Sequence, residues 1–174
     1  PETTLNPNIL SNALSGLRKF SGESFESRSI IAAVYDKMGD GDVGGQYNSL
    51  EIGRALYGFQ NMQVELCPDV TKIFIKMGNA VTHMKGPLYA RDCGLALYGV
   101  KTQTDESAEV KAILKAINSK LSKSVDSFSA KSISMAMMGL SEMTSESPEV
   151  CQILTTLANR MDTLDSQACG NIIY

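Results

Sequence analysis

The sequence predicts an all-α fold: a right-handed α-solenoid of about four helix-turn-helix repeats, with a fifth repeat cut short. Two observations predict this fold. The block Ala-Leu-Tyr-Gly occurs at 55–58 and again at 96–99, and a weaker copy, Ala-Met-Met-Gly, follows at 136–139. Around each block, apolar residues recur at the spacing of an amphipathic helix, and no strand pattern competes with it. A period of about 40 residues is typical of stacked helical units that form binding surfaces.

We predict a single domain over 1–174. Its repeats lie at approximately 6–47, 48–88, 89–128 and 129–164, with a partial repeat at 165–174. The formal net charge of -3 and the pI near 5.2 argue against a broad phosphate-binding surface. No apolar run reaches the roughly 20 residues of a membrane span, so we predict none. The chain opens at Pro1 without an initiator Met, which indicates N-terminal processing or a piece of a longer protein.

The first helix of each repeat carries one apolar face and its own start signal. In the first repeat this i, i+3, i+4, i+7 stripe comprises Leu10, Ala13, Leu14 and Leu17, and the next three repeats have equivalent residues. The residues expected to cap these helices are Asn6, Asn48, Tyr89, Ser129 and Asp165. All except Tyr89 carry side chains that accept hydrogen bonds from the free backbone N–H groups of a first turn.

The second helix of each repeat has a start residue of its own: Ser24, Cys67, Ser107 and Ser147. An acidic residue follows two positions later, where the helix dipole favours negative charge. Late in the first helix of successive repeats lie Gly58, Gly99 and Gly139. These glycines either let a neighbouring helix approach closely or end their own helix, and both alternatives remain open.

An acidic, glycine-rich segment at 36–51 lies between two predicted helices, as an EF-hand calcium loop would. In the frame that starts at Asp40, the oxygen ligands would come from Asp40, Asp42, Asn48 and Glu51. Loop position five is then Gly44, which has no side-chain oxygen, and the alternative frame from Asp36 places Met38 at position three. A glycine-rich linker is the competing interpretation.

The sequence contains no convergent catalytic or cofactor site. The four cysteines form no Cys-x-x-Cys pair, and His83 is the only histidine. Cys93 and Cys169 occupy an apolar position of the first-helix stripe and are expected to be buried. A lysine-rich stretch at 101–131 contains acidic residues and lacks interleaved aromatic residues, which favours a solvated face over a nucleic-acid track. We therefore predict a protein that is not an enzyme and needs no cofactor.

First-helix positions outside the apolar stripe indicate a contact surface. In a stack of repeats, equivalent positions line up along one face. The candidate partner-binding residues at these positions are Arg54, Tyr57, Leu95, Tyr98, Met135 and Met138. An exposed apolar patch of this kind marks a protein contact. The alternative interpretation is packing between repeats, which also aligns equivalent positions.

A resemblance to a known repeat family covers almost the whole chain. The segments 55–60 (ALYGFQ), 107–114 (SAEVKAIL) and 147–150 (SPEV) resemble the "ALYGLQ" and "S-x-EV" helical repeats of algae with complex plastids. These repeats are loosely akin to the octotricopeptide and pentatricopeptide repeats of organelles. The resemblance implies an organellar protein, with a plastid favoured over a mitochondrion, and a structural subunit of an assembly such as a photosystem antenna complex or a mitoribosome.

Two main functions follow from the sequence. In the first, the chain is a non-catalytic scaffold or linker subunit that lays one face against protein partners in a larger complex. In the second, it is an organellar RNA-binding module that uses polar first-helix residues such as Asn12, Arg54 and Asn171. A calcium-modulated binding module is a minor alternative that depends on the acidic loop.

Overall fold

The structure, a computed structural model, describes residues 6–38 and 47–161. Within these ranges the chain forms eight α-helices and no β-strand. The helices are α1 (Pro7–Gly16), α2 (Phe25–Lys37), α3 (Ser49–Tyr57), α4 (Pro68–His83), α5 (Ala90–Tyr98), α6 (Ala108–Leu121), α7 (Ala130–Gly139) and α8 (Pro148–Ala158). The all-α prediction is therefore confirmed. The predicted partial repeat at 165–174 lies outside the described residues.

The helices form two layers. In the first layer α1, α3, α5 and α7 pack side by side in that order, and in the second layer α2, α4, α6 and α8 do the same. Each first-layer helix and the second-layer helix that follows it in the chain are called a unit below. This two-layer arrangement is compatible with an α-solenoid.

Most of the predicted start residues cap their helices. The side chains that accept a hydrogen bond from a first-turn backbone N–H are those of Asn6, Ser24, Asn48, Ser107 and Ser129. Tyr89 makes no such bond, as its side chain predicts, and neither do Cys67 and Ser147. The residue after Cys67 and the residue after Ser147 are prolines at the first helical position, as Pro7 is after Asn6.

The block glycines lie where neighbouring first-layer helices touch through their main chains. A Cβ atom added to Gly58, Gly99 or Gly139 would overlap the backbone carbonyl of, respectively, Leu14, Leu56 or Leu97 in the preceding unit. Gly58 and Gly99 are also the C-cap residues of α3 and α5, so both interpretations of these glycines hold. Each of the three leucines precedes its own unit's glycine by two positions, which means that successive units repeat one register.

A second close approach lies at the middle of α3 and of α5. A Cβ atom on Gly53 would be 2.7 Å from the backbone oxygen of Asp92, and one on Gly94 would be 2.7 Å from that of Ser132. Both distances are shorter than a van der Waals contact allows. The helices α3, α5 and α7 are thus in main-chain contact at two places along their length, which fixes their spacing.

One core prediction is wrong at the first unit. Ala13 belongs to the predicted apolar stripe, but it is exposed, whereas its equivalents Ala55, Ala96 and Ala136 are completely buried. The difference arises because each of those three alanines faces a preceding first-layer helix, and α1 has none among the described residues. No helix in the described part of the chain is long and apolar enough to cross a membrane.

Candidate functional site

The six predicted partner-binding residues lie on the first layer, on α3, α5 and α7. We call them the contact strip: Arg54, Tyr57, Leu95, Tyr98, Met135 and Met138. All are accessible to solvent in part, and Met138 is the most exposed, at 45%. Because the glycine contacts repeat one register, equivalent positions of neighbouring helices form rows along this layer. Their role as binding residues stays a prediction.

Contacts between units order the middle of the contact strip. The rings of Tyr57 and Tyr98 lie 5.8 Å apart between centroids and are inclined by 30°. The Lys101 Nζ lies 4.8 Å from the centre of the Tyr98 ring and 3.4 Å from the Gln60 side-chain oxygen. At the other end, Arg54 donates a long, 3.5 Å hydrogen bond to Asn12. The two tyrosines therefore pack between units and still present part of their surface to solvent.

At Met138 the contact strip meets a groove of about 800 Å³. The apolar residues that line it are Met137, Met138, Leu140, Met143, Val150 and Leu154. The polar edge of the groove includes Gln63, Lys101 and Glu142. Thr104 also lines the groove, and its hydroxyl is buried without a hydrogen-bond partner. Two of the apolar lining residues, Met137 and Leu154, are only partly buried, whereas their equivalents Leu97 and Leu114 in the preceding unit are fully buried.

Buried polar groups hold α3 and α5 in register near the start of both helices. The Ser49 hydroxyl donates to the Asp92 carboxylate at 2.7 Å and accepts from the Tyr89 backbone N–H at 3.0 Å. Ser49 and Asp92 are 6% and 7% exposed, so both groups depend on this contact for their hydrogen bonds. The first-turn N–H of Ala90, which the Tyr89 side chain cannot cap, donates instead to the Asp126 carboxylate at 2.6 Å.

A second set of hydrogen bonds joins the connections between first-layer and second-layer helices. The Gln103 side chain accepts from the Val64 N–H at 3.0 Å and donates to the Met62 carbonyl. One unit further on, Asp105 accepts from the backbone and the hydroxyl of Thr144, at 3.2 and 3.0 Å. Burial raises the pKa of Asp105, but the two bonds from Thr144, together with its own backbone N–H and the charge of Lys111, leave the pKa below its ordinary value.

Basic side chains join the second-layer helices at their C-terminal ends. Lys120 donates to the Met84 carbonyl at 2.7 Å, and Arg160, which is 40 positions later, donates to the Leu121 carbonyl at 2.8 Å. Burial lowers the pKa of Lys120, and the nearby Lys123 lowers it further. The repeat spacing of this basic position was a signal for these contacts that the sequence analysis missed.

Two of the four predicted calcium ligands, Asn48 and Glu51, lie within the described residues. Asp40 and Asp42 lie outside the described residues. Asn48 and Glu51 form a reciprocal capping box at the start of α3, where each side chain bonds the other residue's backbone N–H at 3.0 Å. Burial, assisted by the charge of Glu51, raises the pKa of Tyr47 to about 12. Asn48 and Glu51, the two candidate ligands within the described residues, therefore stabilise the start of α3.

Within residues 6–38 and 47–161, no group of three or more His, Cys, Asp or Glu side chains is placed to hold a metal ion. Cys93 is completely buried, as expected. Burial is the main cause that raises the pKa of its thiol, and the charge of Asp126 raises it further. Cys151 is exposed, and Cys169 lies outside the described residues.

No protein-family model matches this sequence, and no curated protein or solved structure was found to be similar to it.

Proposed function

We propose that this chain is a non-catalytic scaffold subunit that binds protein partners of a larger assembly through the contact strip and the adjoining groove. One observation carries the proposal: a row of tyrosine and methionine side chains runs along the first layer and ends at an apolar groove of about 800 Å³. Tyrosine and methionine are enriched in protein interfaces, and the unbranched methionine side chain adapts to irregular surfaces.

The chemistry of this surface favours a partner with an apolar ridge and a few polar groups. Met138, Met143 and Leu154 offer flexible or branched apolar contacts, and Lys101 and Glu142 at the edge offer charges of both signs. Such a combination resembles the apolar centre and polar rim of protein interfaces. The main-chain contacts between first-layer helices support the proposal, because a rigid support lowers the entropic cost of binding.

The experiment compares two exposed methionines. Met138 is 45% exposed in the contact strip, and Met161, at 41%, follows α8 in the second layer and does not line the groove. Tagged wild type, Met138→Asp and Met161→Asp chains are expressed in the source cells, and the captured native complex is quantified by mass spectrometry. We expect Met138→Asp to reduce partner retention by about tenfold, as loss of a central interface contact does, and Met161→Asp to retain the partners.

Equal partner retention by a folded Met138→Asp variant would contradict the scaffold proposal for this surface. Circular dichroism spectra and melting curves of both variants establish that each is folded. Loss of partners from both variants would likewise argue against the contact strip, since Met161 lies outside it.

RNA binding is the second candidate, and one observation favours it. Lys101 lies over the Tyr98 ring, and Arg54 lies on the same layer, so aromatic and cationic groups share a surface. This is the combination that single-stranded nucleic acids use for stacking and phosphate contacts. A filter-binding assay with single-stranded RNA at low and high salt tests it. No binding at low salt would exclude this function, because phosphate contacts are strongest there.

Our proposal for the whole chain is a right-handed stack of about four repeats of the ALYG type with a fifth begun at 165–174, as in the solenoid architecture. The repeat boundaries near 48, 89 and 129 lie at or next to the first-layer helix starts Ser49, Ala90 and Ala130, which supports them. On the resemblance to algal repeat proteins, we place the assembly in an organelle, with a plastid preferred. A photosynthetic antenna complex is one such assembly.

A further inference from the structure

One edge of the two-layer stack, where first-layer helices begin and second-layer helices end, carries a group of exposed cations. We call it the basic edge and define it as residues 84–92 and 122–132, which contain the connections from α4 into α5 and from α6 into α7. The two connections touch, because the Ala90 N–H of the first donates to the Asp126 carboxylate of the second at 2.6 Å. Their exposed side chains therefore belong to one surface.

The cations of the basic edge face solvent, and its acids do not. Four cations lie on this edge and all are exposed: Lys85, Arg91, Lys123 and Lys131. The two acids are held by the fold. Asp92 is 7% exposed, accepts from the Ser49 hydroxyl and lies 3.9 Å from the Arg91 side chain, which is itself 72% exposed. Asp126 is half-buried and accepts from the Ser124 hydroxyl as well as from Ala90.

The opposite edge of the stack is rich in acids. Each second-layer helix starts there with an acidic residue in its first turn: Glu26, Asp69, Glu109 and Glu149. The helix dipole favours negative charge at these starts. The chain as a whole has a formal net charge of -3, so the positive charge of the basic edge is local. An anionic surface would attract this edge, repel the opposite one and so orient the stack.

Two exposed apolar side chains lie among the cations. Val125 is 100% exposed and Tyr89 is 53% exposed. They come from adjoining stretches of backbone, because their chain neighbours Asp126 and Ala90 are bonded to each other. Exposed apolar residues surrounded by lysine and arginine are typical of proteins that bind to the surface of anionic membranes, and tyrosine is enriched at the level of the lipid headgroups. A nucleic acid would stack on Tyr89 but would gain nothing from an aliphatic tip such as Val125.

We propose that the basic edge docks this chain on the surface of an anionic lipid bilayer. Val125 enters the headgroup region, and the cations face the lipid phosphates and carboxylates. Each cation near such a surface strengthens binding about fivefold, and with four cations less two recessed acids the gain is about 30-fold. Burial of the valine adds about tenfold. We therefore expect a reversible association, with a dissociation constant on the order of 1 mM in lipid.

The first experiment is co-sedimentation of the full chain with vesicles of equimolar phosphatidylserine and phosphatidylcholine at low ionic strength. It compares wild type, Lys85→Glu/Lys123→Glu and the control Lys19→Glu/Lys111→Glu. The control makes the same charge change at exposed positions of the opposite edge, beyond the roughly 10 Å over which salt screens charges. We expect the first variant to bind at least about 30-fold more weakly and the control to bind nearly as wild type does.

Two results of this experiment would overturn the proposal. One is a wild type that stays in the supernatant at lipid concentrations several times the expected constant. The other is equal binding by wild type and a Lys85→Glu/Lys123→Glu variant that circular dichroism shows to be folded. Binding of the wild type that persists at high salt would also contradict the electrostatic part of the proposal, because salt screens exposed charges.

The second experiment tests entry of the apolar tip into the bilayer. The sequence contains no tryptophan, so Val125→Trp introduces a single fluorescent reporter. Ile75→Trp, at a position in the middle of α4 that is 49% exposed, is the matched control. With the same vesicles, we expect a blue shift of the emission and quenching by brominated lipids for Val125→Trp alone. Unchanged emission of a Val125→Trp chain that has bound to vesicles would overturn the entry of this residue.

Other partners of the basic edge give different results. Single-stranded RNA that binds wild type but not Lys85→Glu/Lys123→Glu, while no vesicle binds, would replace the membrane by a nucleic acid and overturn the proposal. None of these variants alters the contact strip, so partner retention in the Met138→Asp experiment and vesicle binding are measured independently. Failure of one proposal therefore leaves the other intact.

Discussion

Replacing Gly99 by alanine should destabilise the fold although alanine is the better helix former. Gly99 has φ -63° and ψ -20°, angles that alanine adopts freely, so the backbone presents no obstacle. The added Cβ, however, would overlap the Leu56 carbonyl and lie 2.8 Å from the Tyr57 backbone nitrogen. A normal contact at this place is about 3.5 Å, which means that α3 and α5 must separate by roughly 1 Å or distort.

Gly16→Ala is the matched control, because it makes the same chemical change at the equivalent position with helical angles and no atom within 4 Å. We expect Gly16→Ala to stabilise the chain by up to about 1 kcal/mol, through the reduced entropy of the unfolded state. For Gly99→Ala we expect a net loss of about 2 kcal/mol, from overpacking of up to about 3 kcal/mol less the same helix gain. The two variants should therefore differ by about 3 kcal/mol, or roughly 6–12 °C in Tm for a chain of this size.

The stability of both variants is measured by thermal and urea unfolding, followed by circular dichroism at about 222 nm, where the helix signal reports the folded fraction. The measurement is made at low protein concentration, so that self-association contributes little to Tm. If Gly99→Ala is as stable as Gly16→Ala, then the main-chain contact does not fix the spacing of the first layer. The argument for a rigid contact strip would fail with it.

Two further predictions concern the polar contacts between units. Ser49→Ala should lower the free energy of unfolding, measured in urea, by about 1–3 kcal/mol, because it leaves the buried Asp92 carboxylate without its hydroxyl donor. Ser119→Ala, at an exposed position, is the control. A loss below about 0.5 kcal/mol for Ser49→Ala, the size expected of a surface substitution, would refute this reasoning. The lowered pKa of Asp105 means that its contribution to stability is present above the pKa of about 3.9 in the unfolded chain and is lost as pH falls through the folded value. Urea midpoints from pH 6 to pH 2 (roughly spanning both pKa values) should decline more for wild type than for Asp105→Asn, and parallel curves would contradict the assignment.

The helical fold could be predicted because its signals are local. Capping side chains such as Asn6 and Ser129 and the repeated block depend only on residues near them in the chain, and they identify the helices correctly. The exposure of Ala13 could not be predicted in this way. Ala13 holds the same place in the apolar stripe as Ala55, but α3 packs against a preceding first-layer helix and α1 has no such neighbour among the described residues.

The candidate site was predictable in part for the same reason. Equivalence between repeats indicated the row that contains Tyr57 and Tyr98, and the structure places their rings in contact. The groove was not predicted, because it arises where Met137 and Leu154 are incompletely covered, and coverage is a property of the stack rather than of the repeat. The bond from Ser49 to Asp92 joins residues 43 positions apart, and no local pattern indicates it.

The main-chain contacts at the block glycines separate the geometry of this protein from its surface chemistry. The distance from one first-layer helix to the next is set by a glycine of one and a carbonyl group of the other, without any outward side chain. Substitutions at positions such as Tyr98 or Met135 can therefore alter what the surface recognises while the period of the array stays the same. A lineage could retune its partners one residue at a time, provided that Gly58, Gly99 and Gly139 are kept.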